Sequence, residues 1–151
     1  MQMKDKIAFV TGAGRGIGRA VCRELLVRGA AGVVIADLDG AQAQATAAEL
    51  GGLGLQCDVS DEAAVRAAVA AAIAHYGRVD VLLSNAGFGA TELDLDDALA
   101  EPNDLWNRMW QVHVMAHVYA SRAVLPGKTH GFAEAAWGWT EATLRFLISG
   151  R

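Results

Sequence analysis

Cysteine and long apolar runs are scarce in this sequence, and each shortage excludes a class of protein. The 151 residues contain only Cys22 and Cys57, which form neither a CxxC pair nor the spacing of a metal site. We expect both thiols to be buried in a reducing compartment, and a disulfide between them is the less favoured alternative. No run reaches the ~20 apolar residues of a membrane span. The first residues also lack the apolar core and cleavage site of a secretion signal, which predicts a cytoplasmic location.

Positive charge is also in the minority. The chain has 13 Lys and Arg residues against 17 Asp and Glu residues, a formal net charge of −4. Because no basic stripe is present, neither a nucleic acid nor an anionic membrane is expected as a partner. Hydrophobic residues make up 53% of the chain and charged residues 20%. That composition is typical of one globular domain with a sizeable core.

Apolar runs alternate with helical patterns along the chain. A long helix is expected to begin at Leu105 and end at Leu125. Continuous apolar strands separated by helices indicate a parallel sheet covered on both faces. Right-handed crossovers then predict an α/β fold, a Rossmann-like doubly wound sheet with strand order 3-2-1-4. The other predicted elements are strands at residues 6–10, 32–36, 53–57 and 79–83, and helices at residues 17–28, 40–50 and 61–76.

Small and polar residues indicate where the elements end. Ser60 is expected to cap the third helix, and Gly77 is expected to end it. An acidic loop, interrupted by Pro102, is predicted at residues 88–104.

A glycine-dense stretch, TGAGRGIG at residues 11–18, follows the first predicted strand. A loop that holds a pyrophosphate must turn sharply, let its backbone approach the phosphates, and lead into a helix N-terminus. Gly12, Gly16 and Gly18 are placed to meet these needs. The alternative is an ordinary tight strand-to-helix turn, since a glycine triplet alone is a weak signal.

An acidic residue ends the second predicted strand. Asp37 lies near the ~20-residue spacing at which a dinucleotide fold places the carboxylate that binds the adenosine ribose. This carboxylate would repel a 2′-phosphate, whereas Arg15 in the glycine loop would attract one. Because no cation follows at Leu38, Asp39 or Gly40, NAD is predicted over NADP. The alternative role for Asp37 is that of a turn residue at a strand end.

Three segments together resemble the short-chain dehydrogenase/reductase family. Residues 11–18 are similar to its TGxxxGxG motif, residues 57–60 (CDVS) to its D-V segment and residues 84–87 (SNAG) to its NNAG motif. The resemblance implies an NAD(P)-binding domain at residues 1–126, followed by an atypical tail at residues 127–151. The same fold without a nucleotide is the alternative, because each motif alone is weak.

The family motifs and the strand ends together define the predicted cofactor site. The resemblance implies that Asp58 meets the adenine amino group and that the SNAG segment supports the sheet and the cofactor. The residues predicted to bind NAD are Gly12, Arg15, Gly16, Ile17, Gly18, Asp37, Leu38, Asp58, Val59, Asn85, Ala86 and Gly87.

The catalytic residues of the family are not found. Members use a tyrosine as the acid, a lysine four positions later, a serine that orients the carbonyl and an asparagine that relays protons. The chain has only Tyr76 and Tyr119 and only Lys4, Lys6 and Lys128, and no Tyr-x-x-x-Lys occurs among them. No catalytic residue is therefore identified, and the role of the acid is left without a candidate.

A histidine stands where the resemblance places the relay asparagine. His113 is a weak candidate to pass a proton near neutral pH. We prefer a packing role at a helix–sheet or helix–helix contact. His113 and His117 also have a spacing that can chelate zinc, but no third ligand is evident, so no metal is predicted.

The resemblance stops after Pro126. The family would continue with a strand that carries the serine, but Ser149 is not favoured as its equivalent. We hypothesise that the coding sequence is disrupted near residue 127. A helix at residues 140–147 and a strand at residues 146–149 are the open alternatives for the tail.

The resemblance implies an oxidoreductase that binds NAD(P) and acts on an alcohol/carbonyl pair, with impaired or no turnover in this chain. The alternatives are a non-catalytic dinucleotide-binding remnant and an oligomeric interaction protein. A homo-oligomer is expected to form through the long helix, where Trp106 and Trp110 would add apolar area. An uncovered sheet edge would also favour association.

Overall fold

The strands form one parallel sheet. The computed structural model describes residues 2–88 and 102–125. Within them the strand order is β3-β2-β1-β4, and each neighbouring pair is parallel. The predicted strand order is therefore confirmed. The strands are β1 Ile7–Thr11, β2 Gly32–Asp37, β3 Leu53–Gln56 and β4 Val81–Leu83.

Helices pack on both faces of the sheet. Successive strand residues point to opposite faces, so Phe9 packs with the helices that begin at Glu62 and Ala116, whereas Ala8 and Val10 pack with those that begin at Gly16 and Gly40. Both faces of β1 and β2 are thus apolar, which explains their continuous hydrophobic runs and confirms the doubly wound α/β fold. The helices are α1 Gly16–Val27, α2 Gly40–Leu50, α3 Glu62–Tyr76, α4 Asn103–Trp110 and α5 Ala116–Val124.

The cap of α3 differs from the prediction. The Asp61 side chain accepts a hydrogen bond from the Ala63 N–H at 2.8 Å, so Asp61 rather than Ser60 is the N-cap. The Ser60 hydroxyl instead donates to Asp58 Oδ1 at 2.7 Å, because the aspartate competes for it locally. The helix ends as predicted, with Gly77 in the left-handed region at φ 79°.

The long helix predicted between Leu105 and Leu125 is not regular. It begins at Asn103, after Pro102 as its N-cap, so the predicted loop ends two residues earlier than expected. A π-helical segment, Gln111–Met115, then joins α4 to α5. Such wide turns often occur at functional sites and leave no mark in an apolar repeat. Most of the predicted acidic loop, the domain boundary at residue 126 and the predicted tail elements lie outside the described residues.

Both cysteines are buried and free, on opposite faces of the sheet. Burial raises the pKa of the Cys22 thiol to about 12 and that of Cys57 to about 11, so both thiols are protonated at neutral pH. The expected burial is confirmed, while the compartment stays a prediction. Within residues 2–88 and 102–125, no helix has the length and apolar character needed to cross a membrane.

Candidate functional site

A cleft of about 660 Å³ opens where the parallel strands reach their carboxyl ends. The loops after all four strands contribute to its wall, as expected at the edge where parallel strands finish together. All the residues predicted to bind the cofactor line this cleft, except Gly16. Gly16 is instead the first residue of α1, directly beside the lining residues Arg15 and Ile17.

Three glycines give the loop after β1 its shape. Gly12 and Gly16 have φ values of 63° and 57°, a region that side chains rarely adopt. A Cβ at Gly12 would lie 2.7 Å from the Ala86 Cα, and a Cβ at Gly18 would collide with the Gly12 carbonyl oxygen. Glycine therefore lets the loop, the start of α1 and the end of β4 approach one another closely.

The N-terminus of α1 has no side-chain cap. Arg15 is its N-cap residue and makes no side-chain hydrogen bond to the helix, and the first turn carries no acidic residue. By contrast, Asp39 caps α2 and Asp61 caps α3. The leading N–H groups of a helix carry partial positive charge and are suited to an anion. The residues of this loop thus fit a diphosphate.

Hydrogen bonds fix the loop after β1 to the end of β4. The Thr11 hydroxyl oxygen accepts the N–H groups of Asn85 at 2.9 Å and Ala86 at 3.1 Å. The Asn85 amide nitrogen donates to the carbonyl oxygens of Thr11 at 3.0 Å and Gly12 at 3.2 Å. Sequence reasoning assigned no role to Thr11, although it opens the glycine stretch and is almost fully buried.

The Asp37 carboxylate is held by both sides of its turn. Its Oδ2 accepts the Gly14 N–H at 2.8 Å, and its Oδ1 accepts the Asp39 N–H at 3.1 Å. The second contact is the turn role considered as the alternative for Asp37. The first contact fastens the carboxylate to the glycine loop at the wall of the cleft. The turn role is therefore observed, and ribose binding by Asp37 stays a prediction.

Apolar side chains stand exposed beside these polar groups. Ile17 is 76% exposed and Leu38 is 65% exposed, and both line the cleft. Val59, in the turn after β3, also lines the cleft but is buried. Asp58 Oδ1 in that turn accepts hydrogen bonds from the backbone N–H and the hydroxyl of Ser60. A ring placed in the cleft would cover the exposed apolar surface.

Helix α4 and the π-helical segment form a wall that sequence reasoning missed. Asn107, Arg108, Gln111 and Val112 line the cleft. Their spacing places them on one helix face, a signal that could have identified them. The Arg108 guanidinium lies 5.4 Å from the centroid of the Phe88 ring, a cation–π contact.

His113 contacts the loop after β4 and is exposed. Its Nε2 lies 2.7 Å from the Phe88 carbonyl oxygen, and the two rings have centroids 5.6 Å apart. The expected packing role is corrected in one respect, because the imidazole lies against a loop and not within a helix–sheet or helix–helix contact. A Cβ at Gly87 would lie 2.8 Å from the His113 Cε1, so any other residue there would have to displace the imidazole.

Neither tyrosine belongs to the lining of the cleft. The Tyr76 hydroxyl donates to the Val33 carbonyl at 3.4 Å, and burial raises the pKa of Tyr76. The Tyr119 hydroxyl donates to Gln111 Oε1 at 3.2 Å. Across residues 2–88 and 102–125, no group of three or more His, Cys, Asp or Glu side chains could hold a metal ion.

Comparison with known proteins relates this geometry to a family. The chain is 41% identical over 105 residues to D-threitol dehydrogenase of Mycolicibacterium smegmatis, an alignment over 64% of this chain and 40% of that protein. A 3-ketoacyl-acyl-carrier-protein reductase of Brucella melitensis, solved in complex with NADH, has a TM-score of 0.76 at 36% identity, over 82% of this chain and 50% of that one. A short chain dehydrogenase/reductase of Burkholderia phymatum, solved with NAD, has a TM-score of 0.75 at 30% identity, over 83% and 45% of the chains.

The chain spans about half the length of the curated relatives that it matches. The family model described as short chain dehydrogenase matches residues 6–133. The chain therefore belongs to the short-chain dehydrogenase family of oxidoreductases.

Proposed function

We propose that the cleft binds NAD and that this chain supplies the cofactor-binding part of an oxidoreductase for an alcohol/carbonyl pair. One observation carries the proposal: the uncapped N-terminus of α1 faces a cleft that also contains the Asp37 carboxylate. These are the two groups that a dinucleotide fold uses for the diphosphate and the adenosine ribose. The complexes of two solved neighbours with NADH and NAD support it.

Each wall of the cleft has a proposed role. The N–H groups at the start of α1 hold the diphosphate, and Asp37 accepts hydrogen bonds from the ribose hydroxyls. Asp58 and Val59 lie where the adenine is expected, and Asn85 to Gly87 support the far half of the dinucleotide. Nicotinamide, when bound, supplies the carbon that accepts or donates hydride.

Carboxylates near the ribose site favour NAD over NADP. A 2′-phosphate beside Asp37 would meet a like charge, which is unfavourable. Hydrogen bonds, first that from the Gln42 N–H, hold the pKa of the neighbouring Asp39 below its usual value, so it is also ionised at neutral pH. The charge of Arg15 contributes to that lowering.

The 151-residue chain is proposed to bind NAD with little or no turnover. No Tyr-x-x-x-Lys occurs in it, and neither Tyr76 nor Tyr119 is part of the cleft lining. A developing alkoxide would therefore lack the acid that the family supplies. We therefore propose that this chain binds the dinucleotide without catalysing hydride transfer.

Calorimetric titration and a turnover assay test the two halves of the proposal separately. NAD is expected to bind the wild-type chain, while NADH oxidation with a panel of aldehydes and ketones stays at the background rate. Gly18→Ala, whose Cβ would collide with the Gly12 carbonyl, is the variant expected to lose binding. Absence of NAD binding would contradict the first half. Steady NADH oxidation that persists in Tyr119→Phe and His113→Ala variants would contradict the second.

A second proposal concerns association. Trp106 and Trp110 are 52% and 57% exposed and lie one helical turn apart on α4. Two large exposed rings on one face favour burial against another chain. We propose that they contribute to a homo-oligomer interface.

A further inference from the structure

A buried hydroxyl on α2 reaches the glycine loop from behind. Thr46 is 3% exposed, and its Oγ1 donates to the Gly14 carbonyl oxygen at 2.7 Å. Thr46 is not among the residues that line the cleft. It therefore touches the loop without being placed to touch a bound dinucleotide.

The N–H of the same residue, Gly14, contacts the Asp37 carboxylate, which is proposed to bind the ribose. The Gly14 N–H donates to Asp37 Oδ2 at 2.8 Å, while the preceding Ala13 N–H donates to the Ala36 carbonyl at 3.2 Å. Gly14 is thus fixed at its carbonyl by Thr46 and at its N–H by Asp37. The carbonyl and the N–H lie in adjacent peptide groups that share the Gly14 Cα. If the carbonyl were released, rotation about Gly14 would change the direction of the N–H, and the Asp37 carboxylate would lose this donor.

The space beside Gly14 is limited on the side of the Asp37 carboxylate. A Cβ at position 14 would lie 3.0 Å from Asp37 Cγ and Oδ2 and 3.1 Å from Gln42 Cβ. The φ value of Gly14 is not in the left-handed region, so a larger residue here would be opposed by these side chains and not by backbone conformation. The loop and the carboxylate are therefore packed as one unit.

We propose that Thr46 is a positioning residue that sets the preference for NAD over NADP, acting through Gly14 on the Asp37 carboxylate. This inference rests on the proposed binding of NAD. With Thr46 in place, Asp37 presents its carboxylate toward the ribose in one orientation. Without the hydroxyl, the buried Gly14 carbonyl lacks its partner and the peptide reorients to find another.

The test compares NAD and NADP affinity by calorimetry in wild type, Thr46→Val and Thr46→Ser. Valine keeps the shape and removes the donor, and serine restores the donor. The ratio of NADP to NAD dissociation constants is expected to fall about tenfold in Thr46→Val. This is the effect of losing one hydrogen bond to a charged group, here the bond from the Gly14 N–H to the Asp37 carboxylate. Thr46→Ser is expected to keep the ratio within about threefold of wild type, because serine retains a hydroxyl that can donate to the Gly14 carbonyl.

Leu50→Ala is the matched control. Leu50 lies on the same helix and packs against the apolar cluster that contains Ala43 and Ala47. Its truncation therefore loosens α2 without removing the Thr46 hydrogen bond. It is expected to lower the melting temperature and to leave the affinity ratio unchanged. A purely structural role for Thr46 would give the same result in Thr46→Val, and that outcome would overturn the proposal.

Gly14→Ala tests the same link if Thr46→Val does not fold. Its Cβ displaces the Asp37 carboxylate and leaves the hydroxyl in place, so the affinity ratio is expected to fall here too. An unchanged ratio in the folded variants, with NAD still bound, overturns this inference alone. Failure of the wild type to bind NAD overturns the proposed function, and this inference with it.

Discussion

At the scale of single residues, Asp37 has a structural role and is proposed to recognise the ribose. Its two oxygens accept the N–H groups of Gly14 and Asp39, which leaves the carboxylate ordered at the wall of the cleft. A carboxylate that is already ordered loses little entropy when ribose hydroxyls bind. The charge of this residue is therefore expected to control which dinucleotide binds.

Asp37→Arg tests that expectation. The variant loses the ribose acceptor and gains a partner for a 2′-phosphate, so NAD affinity should fall about tenfold or more while NADP affinity rises. Isothermal titration with both dinucleotides measures the change. Glu24→Arg makes the same change of net charge on the exposed face of α1, where Glu24 pairs with Arg28, and should leave both affinities unchanged. Equal losses in the two variants would show that net charge alone is responsible.

Element boundaries were predictable where they depend on local chemistry. The strand and helix bounds predicted for residues 6–83 agree with the structure within about two residues, because buried strands require apolar runs and Gly77 requires a positive φ. Parallel strands end at one edge of the sheet, so the convergence of the loops that contain Asp37, Asp58 and Asn85 was also predictable.

Contacts between distant segments were not predictable. The hydrogen bond from Thr46 to Gly14 joins residues 32 positions apart, and no local pattern reports it. The π-helical segment Gln111–Met115 depends on hydrogen-bond register, which an apolar repeat does not encode. His113 was expected to pack because histidines are frequently half-buried, but its exposed imidazole lies beside the Phe88 backbone instead, with Nε2 2.7 Å from the carbonyl oxygen.

At the scale of elements, Asp80 joins the start of β1 to the turn before β4. Its Oδ2 accepts the Ile7 N–H at 2.8 Å and the Arg78 Nε at 2.9 Å. Burial alone would raise the pKa of Asp80, but these hydrogen bonds and the nearby positive charges lower it overall. The folded state thus prefers the ionised carboxylate. Its contribution to stability is present above the ordinary carboxyl pKa and is lost as the pH falls through the lowered one.

Asp80→Asn should therefore lower the free energy of unfolding at pH 7 by about 1 kcal/mol. The variant should also lose less of its free energy of unfolding than the wild type as the pH falls from about 5 to about 2. Urea unfolding at several pH values, followed by circular dichroism, measures both effects. Glu24→Gln, which removes an exposed carboxylate on α1, should keep the pH dependence of the wild type. A pH profile of Asp80→Asn that parallels the wild type would contradict this account.

At the scale of the whole molecule, the exposed tryptophans of α4 are expected to promote association. The double variant Trp106→Ser, Trp110→Ser removes two large exposed rings, so it should shift the population toward a smaller species in sedimentation velocity. Exposed Val27, at the end of α1, and Leu38, in the turn between β2 and α2, supply a control pair for the loss of apolar surface. An unchanged sedimentation profile in the tryptophan variant, or the same shift in the control, would exclude α4 as the interface.

The central proposal is that a diphosphate binds at the start of α1 and that an adenosine ribose binds at Asp37. A crystal structure of the chain grown with excess NAD tests this most directly. We predict phosphate oxygens within hydrogen-bond distance of the N–H groups of Ile17 and Gly18, and ribose hydroxyls within hydrogen-bond distance of the Asp37 carboxylate. An empty cleft at saturating NAD, or a dinucleotide bound away from α1, would contradict the account.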